Sequence, residues 1–549
     1  MEHKLELTRR NFVIGAGALM AAGALGVTGC SPEGSAGTEE AEAENAEAEE
    51  AAAAEEAPAE EEVDNTVTFD EVDIEAATAD EVAAAIGGNG TLLVDARPWE
   101  AYAGWAMEGA ANGGHLKGAL LYSKRWIDME YGGRTPRAVY LEREMNDQGI
   151  TSDATVIVYD YTGEQATTVA QYFIAQGVKN VKAFQANELI DAGTDLVSYE
   201  QHRMFLPAEI VKSVSDVKTG KESELTDAAK EIIGDRIDNV VLIDVSWGSA
   251  WTSAYFSEGH VPGSVHINSD SYERPRVYVP EKRSEYAKEW RKIPLEEFRD
   301  SVCTEYGITK DSICILSSSS TSPHARLGMY LNALGCEVYV MAGALNAWKY
   351  NGYELDTDPS TMVIPEAVES FGSDKIDDQE WHTADIMAIQ AGEKEGQIVD
   401  NRGEDEWLGE YSGYSYHDLA GQIEGSIWCC QGSEEAGEYF DNADGTPRTT
   451  EEAVAYLESA GLDTSIPMVF FCGDSWGATH IAYWCNSIDL PNVKTWTEGW
   501  IPWSNEGHEF IDNEGRKVHY DKWLDTVVDE DGNDVRNGMN ILDIEVPES

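Results

Sequence analysis

The chain has 549 residues, 42% of them hydrophobic, which is too long for one core and predicts about three domains of ~100–200 residues. Its 102 acidic residues outnumber 38 basic residues, so the formal net charge is −64. A surface of this sign repels nucleic acid and anionic lipid headgroups, and we expect neither as a direct binding partner.

The first 30 residues carry an export pattern. Arg9 and Arg10 precede an apolar stretch, residues 12–27, which is short and rich in Gly and Ala and would make a poor permanent membrane span. The stretch ends in the sequence V-T-G-C at Cys30. This pattern resembles a twin-arginine export signal that ends in a bacterial lipobox. The resemblance implies lipidation of Cys30 and anchoring, by lipid alone, to the outer face of the cell membrane. The alternative is a plain cleaved signal in which Cys30 has no role.

The next segment, residues 31–65, consists mainly of Ala, Glu, Gly, Ser and Pro. It has too few large apolar side chains to offset the entropy lost on ordering. We therefore expect a disordered, acidic linker between the anchor and the folded part of the chain.

Three segments after the linker share one layout. Each begins with a short apolar run that ends in aspartate, as expected of a buried parallel strand; these aspartates are Asp95, Asp244 and Asp400. A Gly-containing turn, a second apolar strand, a loop, a helix and a third strand follow. The loops open at Asp160, Ser317 and Cys472, and each time a valine that starts the third strand follows 21 residues later. This rhythm predicts three parallel α/β units.

Further motifs connect the three repeats to a known family. An Asp-x-Arg strand end occurs at Asp95 and again at Asp400, and turns of the type Gly-His-x-x-Gly begin at Gly114 and Gly259. Segments 341–348 and 496–503 follow the third strands and combine Gly with Trp. Together with the strand–Cys–loop–helix unit, these motifs resemble rhodanese sulfurtransferases across roughly residues 66–510, and in particular the bacterial proteins with three tandem domains.

The resemblance implies an α/β fold of three tandem rhodanese-like domains, each a mostly parallel five-stranded sheet flanked by helices. We place the domains at residues 66–203, 204–362 and 363–549, the last with a C-terminal extension. The aspartates and arginines at the first strand ends would support the fold. The first two domains, with Asp160 and Ser317 in the cysteine position, would be inactive and would help to form an interdomain cleft.

The third loop carries the expected chemistry, which is sulfur transfer through a persulfide on the catalytic residue Cys472. A cysteine between a strand and a helix N-terminus lies at the positive end of the helix dipole, inside a nest of backbone N–H groups. Both effects favour the thiolate, which is the nucleophile. The substrate-binding residues would be those that complete the loop: Gly473, Asp474, Ser475, Trp476 and Gly477.

The loop departs from the sequence Cys-Gly-Thr-Gly-Trp-Arg that is common in three-domain relatives. Asp474 adds a negative charge and Gly477 stands where the arginine would be. An opposing unit charge near 4 Å is worth about 4 kcal/mol at an effective dielectric of about 20. We therefore expect thiosulfate to be a poor donor, and an uncharged polysulfide-like species or a protein persulfide to be the true donor. Alternatively, Asp474 points into solvent and has little effect. The missing arginine also argues against a Cys-based phosphatase.

Other candidates are weaker. No metal-binding or nucleotide-binding pattern occurs, so we expect no metal and no cofactor. The expected partners are a small sulfur-containing donor and a thiol or protein acceptor. His480, near the start of the next helix, is expected on the surface. Cys429 and Cys430 either resolve the persulfide or pack locally. A sulfur carrier without small-molecule turnover, or an inactive scaffold, remains an alternative, and the sequence does not identify the donor, the acceptor or the oligomeric state.

Overall fold

The structure is a computed structural model that describes residues 67–129, 137–251, 259–274, 291–317, 321–414, 417–429 and 440–535. The export pattern, Cys30, the linker and Cys430 lie outside these residues. Within the described ranges, no helix is both long and apolar enough to cross a membrane.

The first repeat contains a five-stranded parallel sheet with the order β1-β6-β5-β2-β4, and an antiparallel pair formed by β3 and β7. The strands are β1 Glu75–Ala76, β2 Leu92–Asp95, β3 His115–Leu116, β4 Leu120–Leu121, β5 Thr155–Asp160, β6 Asn180–Gln185 and β7 Leu196–Val197. The helices are α1 Ala79–Ile86, α2 Trp99–Ala103, α3 Lys124–Asp128, α4 Arg137–Asp147, α5 Glu164–Ala175 and α6 Asn187–Ala192.

The second repeat has a five-stranded parallel sheet with the order β10-β9-β13-β14-β8, and an antiparallel pair, β11 and β12. The strands are β8 Phe205–Leu206, β9 Val240–Ser246, β10 Val265–Asn268, β11 Glu273–Arg274, β12 Arg291–Lys292, β13 Ile313–Ser317 and β14 Glu337–Met341. The helices are α7 Ala208–Lys218, α8 Asp227–Ile233, α9 Leu295–Glu297 (continued by a π-helical turn, Phe298–Cys303), α10 Thr321–Ala333 and α11 Ala344–Tyr350.

The third repeat has a parallel sheet of order β16-β15-β17-β18, four strands in the described residues, and ends in a three-stranded antiparallel sheet. The strands are β15 Gln397–Asp400, β16 Ile427–Trp428, β17 Met468–Phe471, β18 Val493–Thr495, β19 Phe510–Ile511, β20 Lys517–Asp521 and β21 Thr526–Asp529. The helices are α12 Thr383–Gln390, α13 Glu404–Trp407, α14 Thr450–Ser459, α15 Trp476–Ser487 and α16 Trp500–Asn505.

The α/β fold predicted from the sequence is confirmed, and its predicted strands agree with the structure to within about a residue. In each repeat the strand that ends near the recurrent aspartate lies beside the strand that leads to the loop; these pairs are β2 with β5, β9 with β13, and β15 with β17. Because all of these strands are parallel, the three loops leave their sheets at the carboxyl edge, where open α/β sheets bind ligands.

The Asp-x-Arg strand ends are buried ion pairs with the same geometry in the first and third repeats. Arg97 pairs with Asp95 at 2.7 Å, and its Nη2 also donates to the Gly114 carbonyl at 2.7 Å. In the third repeat, Arg402 pairs with Asp400 at 2.6 Å and donates to the Gly421 carbonyl at 2.7 Å. Each arginine therefore connects its strand end to the following turn.

Helix α10 of the second repeat packs along helix α15 of the third. A Cβ at Gly328 of α10 would lie only 3.1 Å from the Tyr483 ring of α15, so the small residue permits the close approach of the two helices. The apolar cluster at this interface also includes residues from all three repeats. The described parts of the three repeats therefore share one apolar core.

A buried ion-pair junction joins the first repeat to the third. Arg125 of α3 donates through Nη1 and Nη2 to both carboxylate oxygens of Glu100, each at 2.9 Å, and through Nε to Asp444 at 2.7 Å. All three side chains are at most 3% exposed. Removing the guanidinium would leave two carboxylates buried without their cation, which is far costlier than breaking an exposed pair.

We expect Arg125→Met to lower the free energy of unfolding by about 3–5 kcal/mol. The matched control is Lys179→Met, because Lys179 and Asp153 form an ion pair in which both side chains are largely exposed, at 66% and 82%. That change should cost less than about 1 kcal/mol. Urea titration of both variants, followed by tryptophan fluorescence, measures the difference, and equal shifts would contradict the assignment of this junction.

Candidate active site

Cys472 lies directly after β17, an inner strand of the third sheet, and its side chain is 1% exposed. The loop of residues 472–477, hereafter the Cys472 loop, turns at Ser475, which has the left-handed conformation with φ +70°, and leads into α15. The backbone N–H groups of Ser475, Gly477 and Ala478 donate to the sulfur. The nest that the sequence predicts is therefore formed around the thiol.

Gly499 and the first residues of α16 pack against the Cys472 loop. The carbonyls of Cys472 and Gly473 accept from the N–H groups of Trp500 and Ile501, at 2.9 and 2.8 Å. Gly499 has φ +73°, and a Cβ there would lie 2.8 Å from the carbonyl oxygens of both loop residues. The Gly/Trp segment noted in the sequence thus serves as a support for the loop.

The charge state of Cys472 differs from the sequence prediction. Burial raises the pKa of the Cys472 thiol to about 11, and the negative charge of Asp474 acts in the same direction. The three N–H donors lower the pKa, as expected, but their effect is smaller than the cost of placing a thiolate in a desolvated site beside a carboxylate. The N–H groups therefore favour the thiolate as predicted, but burial and Asp474 outweigh them.

The second repeat supplies the cation that the Cys472 loop lacks. Arg326 of α10 donates through Nη1 to the carbonyl of Asp474, and its guanidinium lies 4.5 Å from the centre of the Trp476 ring. Arg326 Nη2 forms an ion pair with Glu273 at 3.2 Å, and both side chains are at most 4% exposed. The guanidinium opposes the burial that raises the pKa of the Asp474 carboxyl. Asp474 is thus partly buried and charge-coupled to the site, so the alternative in which it points into solvent is wrong.

A cleft of about 440 Å³ lies between the second and third repeats and reaches the Cys472 loop at Asp474. We call it the interdomain cleft; it is lined by Arg291, Lys292, Ile293, Pro294, Leu295, Glu296, Arg326, Ile376, Asp378, His382, Asp474, Thr497 and Glu498. The Cys472 loop therefore faces the second repeat across this cleft. Cys472 itself is not part of the cleft lining, so a donor must reach the sulfur past its own loop.

The charges of the interdomain cleft are arranged in pairs. Lys292 pairs with Glu380 and also donates to the Thr497 hydroxyl at 3.4 Å. Hydrogen bonds to Asp378 and Glu498 raise the pKa of His382 to about 10, so its ring is a cation at neutral pH. The cleft therefore presents both signs of charge, an arrangement that suits a small zwitterion or monoanion better than a dianion.

In the first repeat, the position of the cysteine is filled by a carboxylate that occupies its own nest. Asp160 accepts from the backbone N–H groups of Thr162, Gly163, Gln165 and Ala166 at 3.2, 2.6, 3.4 and 3.2 Å. Four donors that would otherwise hold a bound anion are thereby satisfied within the protein. This loop has no sulfur nucleophile, and Asp160 already occupies these four donors.

In the second repeat, the Ser317 hydroxyl is buried and donates weakly, at 3.5 Å, to the Ile243 carbonyl of β9. Residues 318–320 of the Ser-rich loop lie outside the described residues. His324 of α10 is fully buried near Ser317, and burial lowers its pKa to about 4. Its ring is therefore neutral at neutral pH.

Comparison with protein families identifies two of the three repeats. Residues 78–185 and 225–351 match the family model of the rhodanese-like domain. These two repeats are therefore similar to rhodanese-like domains. The third repeat, which holds Cys472, lies outside the two matched segments.

The chain is also similar to individual proteins. It is 23% identical over 419 residues to the thiosulfate sulfurtransferase YnjE of Escherichia coli (strain K12), a match that covers 75% of this chain and 87% of that protein. Two solved structures share its fold at 23% identity and cover 97% of their own chains. The anaerobic ergothioneine biosynthesis enzyme of Chlorobium limicola with trimethyl histidine has a TM-score of 0.64 over 79% of this chain. An EanB variant with a cysteine persulfide and ergothioneine has a TM-score of 0.63 over 78%.

The structure also describes two minor candidates of the third repeat, His480 and Cys429. His480 is 1% exposed, and its Nε2 lies 2.9 Å from Asp441, so the expectation of a surface histidine is wrong; α15 turns this residue inward, where it stacks on Trp484. Cys429 is buried and, after burial itself, is the second cause of the raised pKa of Cys485. The structure thus brings Cys429 close to Cys485 on α15.

We expect Asp474→Asn to lower the pKa of Cys472, because the neutral amide removes a charge that opposes thiolate formation. The thiolate forms as the pH rises through the pKa of about 11, so the variant should ionise at lower pH. The pH dependence of thiolate absorbance, taken as the difference from Cys472→Ser, isolates this thiol. Glu458→Gln, which removes an exposed carboxylate of the same repeat, is the control and should not shift the curve. An unchanged curve in Asp474→Asn would contradict the charge coupling.

Proposed function

We propose that this protein is a sulfurtransferase that carries sulfane sulfur as a persulfide on Cys472. The observation that supports this most directly is the buried sulfur at a strand end, surrounded by the backbone N–H groups of Ser475, Gly477 and Ala478. A nest of this kind stabilises an anion without a basic side chain. The corresponding positions of the other repeats hold Asp160 and Ser317, neither of which can accept sulfane sulfur.

In the first half-reaction the Cys472 thiolate attacks the sulfane sulfur of the donor. A new S–S bond forms to Cys472, the bond between the sulfane sulfur and the rest of the donor breaks, and the leaving group departs with the electron pair. The product is an anionic persulfide held by the N–H groups. In the second half-reaction a thiolate or another thiophile attacks the outer sulfur, and Cys472 leaves as the thiolate.

The nature of the donor follows from the charges around the loop. With thiosulfate, two negative charges would enter a cleft that already holds Asp474, Asp378 and Glu498. Burial and Asp474 already disfavour even one negative charge on Cys472. We therefore propose that a persulfide or polysulfide is the better donor, and that thiosulfate, the substrate in the name of the Escherichia coli relative, is a poor one.

The mixed charge of the interdomain cleft favours a second candidate for the acceptor. His382, Asp378 and Glu498 form one side, whereas Arg326 and Lys292 come from the second repeat. A small zwitterion could pair with the carboxylates through its positive group and with the cations through its negative group. Trimethyl histidine is such a molecule and is bound by the Chlorobium limicola enzyme of similar fold. Incubation of the protein with polysulfide and trimethyl histidine, followed by mass spectrometry of the small molecules, separates this acceptor from a thiol.

Cys472→Ser should abolish persulfide formation while the protein remains folded, because serine is close to cysteine in size and lacks the soft sulfur. Intact-mass measurement after incubation with polysulfide should show one added sulfur atom in the wild type and none in the variant. Cys485→Ser, at a buried thiol of the same repeat, is the matched control and should retain the added sulfur. Sulfur uptake by Cys472→Ser would overturn the assignment. Thiocyanate formation from cyanide by the loaded wild type would distinguish an enzyme from a carrier.

We also propose that the protein is exported and anchored by lipid at Cys30, with the acidic linker as a tether. Cys30→Ala should then release the protein from the membrane fraction, and metabolic labelling with a fatty acid should no longer mark it. Replacement of Arg9 and Arg10 by lysine should instead block export and leave a precursor inside the cell. Continued labelling of Cys30→Ala would contradict the lipid site.

A further inference from the structure

Arg326 is a buried cation that belongs to one repeat and contacts the Cys472 loop of another. It belongs to α10 of the second repeat, which lacks a cysteine, yet its guanidinium contacts the Cys472 loop of the third repeat at the carbonyl of Asp474 and over the ring of Trp476. It is 3% exposed, and it lines the interdomain cleft. Its Nε has no hydrogen-bond partner in the part of the chain that the structure describes.

A buried guanidinium with an unused donor that lines a cavity is arranged for a ligand, because a buried unsatisfied donor costs about 1–3 kcal/mol. Arginine retains its charge at all relevant pH values and binds carboxylate, sulfonate and phosphate groups through paired N–H donors. Arg326 contacts Asp474, which is two residues along the chain from Cys472, on the side of the loop that the interdomain cleft reaches.

We propose that Arg326 is a specificity-determining residue that holds the anionic group of the small sulfur compound presented to Cys472. The second repeat thus provides a substrate-binding cation to the third, where the loop has Gly477 in place of arginine. The sulfur-transfer step of this inference rests on the proposed function, whereas the binding of the anionic group by Arg326 does not.

The neighbours of Arg326 define the charge of that group. Glu273 lies 3.2 Å from Nη2, and Asp474 is the other nearby carboxylate. A single negative charge on the ligand can share the guanidinium with these groups, whereas a dianion meets twice the repulsion. The site therefore selects a monoanionic or zwitterionic sulfur compound over a dianion such as thiosulfate.

The test uses two probes that differ by one charge, methanethiosulfonate and thiosulfate. Both are titrated by calorimetry into the full chain carrying Cys472→Ser, in which no sulfur can be transferred. We expect methanethiosulfonate to bind more tightly than thiosulfate. Adding Arg326→Met should weaken its binding by about tenfold or more, the loss of a charge-assisted hydrogen bond. Arg326→Lys should weaken binding less, because it retains the charge but not the paired donors.

Two further variants keep the test decisive. Arg203→Met removes an arginine that is 52% exposed and should leave binding unchanged. Asp474→Asn keeps Arg326 in place and should tighten thiosulfate more than methanethiosulfonate, which protects the test if Arg326→Met fails to fold. Equal affinity for methanethiosulfonate with and without Arg326, or no binding to the Cys472→Ser chain, would overturn the proposal.

The anion site at Arg326 and the proposed sulfurtransferase activity can then be contradicted independently of each other. If the wild type acquires no persulfide but Cys472→Ser binds methanethiosulfonate through Arg326, the proposed function is wrong and the anion site stands. If the wild type turns over methanethiosulfonate and Arg326→Met leaves its KM unchanged, the anion site is wrong and the sulfurtransferase stands. The expected result is a higher KM for methanethiosulfonate in Arg326→Met.

Discussion

The packing of α10 against α15 determines which groups can meet at the Cys472 loop. Each helix follows the loop of its own repeat, and their close contact places Arg326 of α10 against the Cys472 loop. Gly328 permits this contact, because any larger residue would collide with the Tyr483 ring. The consequence is that Arg326, two residues before Gly328 in α10, extends across the interface to the backbone of Asp474. The second repeat has lost the cysteine, but its helix still forms one wall of the site.

The three repeats also show how one loop geometry can be retained after its chemistry is lost. A turn that directs several backbone N–H groups at one point leaves buried donors that require an acceptor. In the first repeat the Asp160 carboxylate accepts four of them. In the third repeat Cys472 accepts three, and a persulfide would accept them as a full anion. A carboxylate therefore serves as a permanent substitute for the ligand, which explains how a repeat without a nucleophile keeps the same strand–loop–helix unit.

The sequence was informative wherever the determining contacts are local or periodic. Apolar runs that end in Asp95, Asp244 and Asp400 predicted the strands, and the constant spacing from each loop to the next strand singled out Cys472. Arg326 could not be predicted, because it is distant in the chain and belongs to no motif of the Cys472 loop. The inward position of His480 depends on which face of α15 the second repeat covers, and a single helix sequence does not specify that. Only the absence of a loop arginine hinted that a cation would come from elsewhere.

The pKa of the Cys472 thiol could likewise not be predicted from the sequence, because the depth of burial is a property of the assembled core. The N–H groups and the helix terminus act as predicted, but desolvation and Asp474 outweigh them, and the pKa lies near 11. At neutral pH the free thiolate is then a minor species, about one molecule in ten thousand.

The donors of the nest are better matched to a persulfide, whose terminal sulfur ionises more readily than a thiol and lies farther from the strand. Under the proposed function, such a site disfavours the thiolate when it is empty and would stabilise the charge of a bound persulfide. The same desolvation grows with the square of the charge, so it penalises a dianionic donor more than a monoanionic one. Burial and the single guanidinium of Arg326 thus act in the same direction on the choice of donor, although one belongs to the third repeat and the other to the second.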